Sequence, residues 1–142
     1  MPRRLNDSIV AKEAIANSTG PAAAALVGTA VDATGFSRAR FVFHFGANGS
    51  SASVSTGLGV WQAATSGATF ALITSANAIT SGVLSAGAQN IVIIDVPTSS
   101  GTPWLKASGS IVQAGTPHGA IVELYGAINR PPTSVAVQVV VA

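Results

Sequence analysis

The chain has 142 residues, of which 48% are hydrophobic and only 8% charged, with a formal net charge of +2, whereas an ordinary globular protein carries about 25% charged residues. Its basic groups, Arg3, Arg4, Lys12, Arg38, Arg40, Lys106 and Arg130, are too few and too dispersed to track a phosphate backbone, so nucleic acid is excluded as a partner. The absence of cysteine removes disulfides, thiolate nucleophiles and Cys-ligated metals, and a surface this poor in charge predicts a subunit that lies against other subunits.

The opening "MPRRLNDSIVAKEAIANSTG" holds Arg3, Arg4, Asp7, Lys12 and Glu13 and closes on the breaker pair Gly20-Pro21. It reads as an N-terminal arm over residues 1–20, either disordered or docked. A short helix over Asp7 to Asn17, capped by Asp7, is one form it could take on a partner surface. The apolar stretch that follows, "PAAAALVGTAV", is far shorter than the roughly 18–20 residues a bilayer requires, so no membrane partner is expected. It also comes after Asp7 and Glu13, unlike the short positive start of a signal peptide.

From Ala22 the pattern has period two. In "RARFVFHF", Ala39, Phe41, Phe43 and Phe45 share one parity and Arg38, Arg40, Val42 and His44 the other, predicting a strand with buried rings and outward arginines. Asn48-Gly49 is a strong hairpin signal, because both residues accept positive φ, and predicts a returning strand through Ala52 to Val60. Further strands are expected at Thr69–Thr74, Asn90–Val96, Trp104–Ser108, Ala120–Tyr125 and Ser134–Val141, separated by turn-forming clusters such as "TSSGTP" and "NRPP". With "AAALVGTAV" in front, the sum is about eight short strands. The fold class is therefore all-β, an antiparallel β-sandwich or jelly-roll-like domain over residues 21–142 with the arm before it.

Chemistry is sparse. His44 and His118 lie on separate elements without metal-ligand spacing, and read as surface or rim histidines. No G-x-S-x-G elbow accompanies them, so a hydrolase using His44 or His118 is the weakest alternative. An acid/base dyad could come only from Asp32, Asp95 and Glu123 in the β region, and Asp95 and Glu123 are expected instead in ion pairs with Arg38, Arg40 or Arg130, or in turns. "GLGVWQ" lacks the third glycine and the helix of a phosphate cradle. Trp61, Trp104 and Tyr125 are expected in the core, the alternative being a sugar-stacking face. No cofactor, metal or catalytic residue is predicted. The charged residues of the arm and of the outward strand face, Arg3, Arg4, Lys12, Arg38 and Arg40, are the candidate contacts to a partner.

A charged start, an Ala-rich entry strand, "VDATGFSRARFVFHFG", a Ser/Ala/Gly-rich middle and a late "VELYGAINRPP" follow one another in an order that resembles the small β-sandwich head proteins of tailed bacteriophages. These are the decoration or cement proteins. The likeness covers most of the chain without a single fingerprint motif. It implies a non-enzymatic virion protein, made in the host cytoplasm, that binds the major capsid protein on the outside of an icosahedral shell, commonly as a homotrimer. Other phage parts (tail, neck or fibre) and a carbohydrate-binding or adhesin module are the alternatives.

Overall fold

The period-two pattern that begins in "FSRARFVFHF" becomes one of the two central strands of a four-stranded antiparallel sheet, packed face to face on a second antiparallel sheet. The computed structural model describes residues 9–19, 25–46, 55–73, 90–111 and 117–127. Among them, in chain order, are the strands β1 (Ile9–Thr19), β2 (Ala25–Val27), β3 (Val31–Asp32), β4 (Phe36–Phe45), β5 (Ser55–Ala63), β6 (Ala71–Leu72), β7 (Asn90–Pro97), β8 (Trp104–Ile111) and β9 (Pro117–Ala127). The first sheet has the order β1-β9-β4-β7; the second has the order β2-β8-β5-β6, with β3 also paired to β8. This is the expected all-β antiparallel sandwich. The strand expected at Ser134–Val141 and the Asn48-Gly49 turn lie outside the described residues.

Alternation decides what fills the space between the sheets. Phe41, Phe43 and Phe45 of β4, Val122 and Leu124 of β9, and Val92, Ile94 and Val96 of β7 face Leu58 and Val60 of β5, Leu105 and Ala107 of β8, and Leu26 of β2. Phe41 and Phe43 are fully buried, while Arg38, Arg40 and His44 are exposed, as the parity of the sequence required. Each such ring contributes roughly 1.5–3 kcal/mol by leaving water.

Two expectations are corrected by strand pairing. The returning strand does not pair with β4: β5 pairs with β8 and β6 in the second sheet, and the neighbours of β4 are β7 and β9. A turn signal bends the chain locally, but the partner is selected by which apolar faces can close over a common core. The second correction concerns the arm. Residues 9–19 form neither a helix nor a detached segment; they are β1, which runs antiparallel to β9 from Ile9 opposite Tyr125 to Thr19 opposite Pro117. Register shifts between Glu13 and Ile15 and between Ile15 and Ser18 break its alternation, so the consecutive residues Ala14 and Ile15 are both buried. Bulges of this kind re-aim side chains on an edge strand.

Two tight places fix how the sheets meet. After β2, the Gly28 amide donates to the Ala107 carbonyl at 3.0 Å and the Thr29 amide donates to the Ala14 carbonyl at 2.8 Å, tying the second sheet to β1. A Cβ on Gly28 would fall onto the Ala107 carbonyl oxygen and within 2.9 Å of the Ala14 carbonyl oxygen, so only glycine allows this approach. Between β3 and β4, Asp32 turns the chain: its Oδ1 accepts from the Thr34 amide at 2.9 Å and from Thr34 Oγ1 at 2.6 Å, and Gly35 follows at φ 86. Asp32 thus serves as a turn residue.

Candidate functional site

The outward face of the first sheet gathers nearly all of the candidate side chains that the described residues contain. Cross-strand register sets them in rows: Tyr125–Arg38–Pro97, then Glu123–Arg40–Asp95, then Ile121–Val42–Ile93, then Gly119–His44–Ile91, reading from β9 through β4 to β7. The first two rows are polar and the third is apolar.

In the polar half the charges are satisfied by one another. Arg38 Nη2 lies 2.6 Å from Asp95 Oδ1, and Arg38 Nε donates to Asp95 Oδ1 at 2.9 Å and to the Tyr125 hydroxyl at 3.0 Å. The Tyr125 hydroxyl donates in turn to Asp95 Oδ2. Arg40 stands 3.6 Å from Asp95 and 3.8 Å from Glu123, with its guanidinium 5.4 Å from the centre of the Tyr125 ring. Partial burial works to raise the Asp95 pKa, but the hydrogen bonds from Tyr125 and Arg38 and the charges of both arginines outweigh it, so the carboxyl lies below its ordinary range. Arg38 is held above its ordinary value by its hydrogen bonds to Tyr125 and Asp95 and by the charge of Asp95. These pairs are partly exposed, so water and salt screen them. Their main effect is to cancel charge on the face, leaving neither arginine as an unpaired cation.

At the other end of the face, Asn17 of β1 reaches over β9 to β4, its Oδ1 lying 3.0 Å from His44 Nε2. Gly119 lies beneath this bridge: a Cβ there would meet the Asn17 oxygen and come within 2.7–2.8 Å of the His44 ring. Between the bridge and the charged rows lies an apolar patch. Ile91 is 70% exposed, Ile93 59% and Ile121 42%, with Val42 half-buried among them. Isolated exposed isoleucines are unremarkable, but these are adjacent on one sheet face and form a contiguous apolar patch.

The remaining predicted residues are dispersed. Lys12 is exposed on β1, its Nζ 3.5 Å from the Asp32 carbonyl, while Arg3, Arg4 and Arg130 lie outside the described residues. His118 is not a surface histidine: it lies opposite Phe45 with the core-facing parity of β9 and is buried, while His44 points outward, so the two occupy opposite faces. Among the described residues no three His, Cys, Asp or Glu side chains are gathered as a metal site would require. Asp95 and Glu123 share a face, but Arg40 stands between them in the same row.

The aromatic residues expected in the core are also redistributed. Tyr125 lies on the outer face of the first sheet; Trp61 and Trp104 lie on the outer face of the second, where Trp61 pairs with Lys106 and Leu72, and Trp104 with Ala63. All three are half-buried rather than enclosed. Sequence parity carried this signal: Val122 and Leu124 flank Tyr125's neighbour Glu123, and Leu58 and Val60 set the inward parity that Trp61 breaks. The three rings do not form one sugar-stacking platform. A shallow hollow of about 130 Å³ lies at one end of the sandwich between the turns at Thr34–Gly35 and Ser99–Ser100, lined largely by small residues. Compared with known proteins, the sequence matches no family model, and none of the curated proteins matches it.

Proposed function

We propose that this chain is a structural virion protein, a decoration or cement subunit that binds the major capsid protein on the outer surface of an icosahedral phage shell and stabilises it as a homotrimer. The observation that carries the reading is the outer face of the first sheet. It neutralises its own charges within the Arg38–Asp95–Tyr125 and Arg40–Glu123 network and exposes a continuous patch of Ile91, Ile93 and Ile121 beside it. Such a face suits contact with protein rather than with an ionic substrate. The resemblance of its order of sequence features to that of phage head proteins supplies the setting. No enzymatic step and no cofactor enter the proposal.

A cement must contact several capsid subunits at once, so that releasing one capsomer breaks contacts to its neighbours. Multivalency makes this possible at modest affinity per contact, because each further contact forms at high effective concentration. A two-layer sandwich, with Phe41, Phe43, Leu58 and Leu105 interlocked between the sheets, transmits load between those contacts with little deformation. The test uses capsids stripped of the protein or assembled without it, with the full chain added back and rupture followed on heating. Decorated shells are expected to rupture at a higher temperature than bare ones. Equal rupture temperatures sink the proposal.

A further inference from the structure

The two edges of the first sheet are built differently. On one side, β1 carries two register shifts and the exposed charges Lys12 and Glu13, devices that keep an edge from recruiting further strands. On the other, β7 pairs with β4 without a break from Asn90 opposite Phe45 to Pro97 opposite Arg38. Its far end carries Asp95 and Pro97, which protect it. Its near half, Asn90 to Ile94, has no charge, proline or bulge, and its outward residues Ile91 and Ile93 are both well exposed, more so than Ile121 on the same face. This half-strand has an uncovered apolar side and no described strand on its outer flank.

We infer that the β7 edge pairs antiparallel with the β7 edge of a second copy of this chain, about a two-fold axis through Val92, joining the two four-stranded sheets into one. The inference rests on the reading of this face as a protein interface and specifies its occupant. The strand is self-complementary in this register. A two-fold axis perpendicular to the sheet keeps core-facing residues on the core side, so residue numbers opposite each other must sum to an even value. Centring on Val92 then sets Ile91 opposite the partner's Ile93, and Ile93 opposite the partner's Ile91, in one unbroken apolar stripe. Shifting the centre to Ile93 would set Ile91 against the partner's Asp95, an apolar side chain against a carboxylate already held by Arg38 and Tyr125.

Area explains why backbone pairing is needed as well. The exposed isoleucines offer apolar surface on the order of 300 Å², against the roughly 800 Å² per partner of a standard interface. Strand addition contributes main-chain hydrogen bonds along the edge in addition to this patch. The contact is two-fold and therefore separate from a three-fold association; on a shell it joins neighbouring trimers across a local two-fold axis.

The chain has no cysteine, so introduced thiols report only on each other. Ile91→Cys and Ile93→Cys variants, both at exposed sites, are mixed and oxidised as free protein, and covalent dimers are read on a non-reducing gel. Directly opposite residues have Cβ atoms about 4.5–5.5 Å apart and diagonal ones several Å more, so trapping favours the 91-to-93 pair. The mixture is expected to give several-fold more dimer than either variant alone, and than Ile93→Cys mixed with Ala11→Cys on the opposite edge. A mixture that gives no more dimer than its components or that control, with circular dichroism showing all variants folded, overturns the pairing. Because the assay contains no capsid, its failure leaves the cement role untouched, and equal rupture temperatures of decorated and bare shells leave this contact untouched.

Discussion

Deleting residues 1–20 distinguishes an arm from a strand. Were the segment an arm, the sandwich would keep its stability and lose only attachment. The structure requires the opposite, because the deletion removes β1, exposes the β9 edge, and takes Ala14 and Ile15 out of the core while stripping Val10 from its margin. Truncation of a buried isoleucine alone costs about 2–5 kcal/mol, and each lost ladder hydrogen bond adds about 1 kcal/mol net. Against a total stability of about 5–15 kcal/mol for a domain, the sum is enough to abolish cooperative folding. Ile15→Ala isolates one contribution: with a urea slope of about 2 kcal/mol/M, the middle of the usual range, the same loss of about 2–5 kcal/mol lowers the unfolding midpoint by about 1–2.5 M. Urea titration followed by circular dichroism reads both variants. A deleted chain that unfolds at the midpoint of the full chain would refute the placement of β1 in the sheet.

Two further outcomes follow from local geometry. Gly28→Ala sets a methyl against the backbone carbonyls of Ala107 and Ala14, neither of which can rotate away, so a thermal melt should show destabilisation of about 1–3 kcal/mol or more, the cost of overpacking; an unchanged melting temperature excludes this close approach. Asp95 has a folded pKa below its unfolded value, so it adds stability that is present above the ordinary carboxylate value of 3.8 and is lost as pH falls through the lower folded value. Asp95→Asn should therefore flatten the acid limb of stability against pH and change the neutral-pH value by no more than about 1 kcal/mol, since the group is partly exposed; an acid limb as steep as in the parent chain shows that the Arg38–Asp95–Tyr125 cluster carries no pH dependence.

Register within β4 was legible because its parity is unambiguous: shifting Phe41, Phe43 and Phe45 by one position would bury Arg38 and Arg40 without partners. The same parity in β9, β5 and β8 places Tyr125, Trp61 and Trp104 outward, and was overridden by the general tendency of large rings to be enclosed. What sequence could not reach was pairing. Nothing local to Asn48-Gly49 says that the next strand crosses to the other sheet, since that choice depends on closing Leu58 and Val60 over the phenylalanines of β4. The sequence of β1 contains helix formers such as Ala11, Lys12, Glu13 and Ala14, and its bulges erase the alternation that would have revealed it. The candidate site is likewise a product of pairing, because Asp95, Arg40 and Glu123 come from three strands far apart in the chain and meet only through register.

The position of β1 also changes how the charge of the chain is distributed. Lys12 and Glu13, expected on an arm free to extend, sit instead on a bulged sheet edge, while Arg38, Arg40, Asp95 and Glu123 pair on the adjoining face. Among the described residues, much of the charge is thus on or beside one outer face and cancels there. The opposite outer face carries Trp61, Trp104, Leu72 and Lys106, the lysine standing over the Phe70 ring at 5.7 Å. Among the described residues, one self-neutralised face and one largely aromatic face offer little for long-range electrostatic steering. Short-range shape and register are what such a surface has left to offer, and the half-edge Asn90 to Ile94, with no described strand on its outer flank, has both: main-chain groups that suit a strand, beside isoleucines that suit an apolar neighbour in one register.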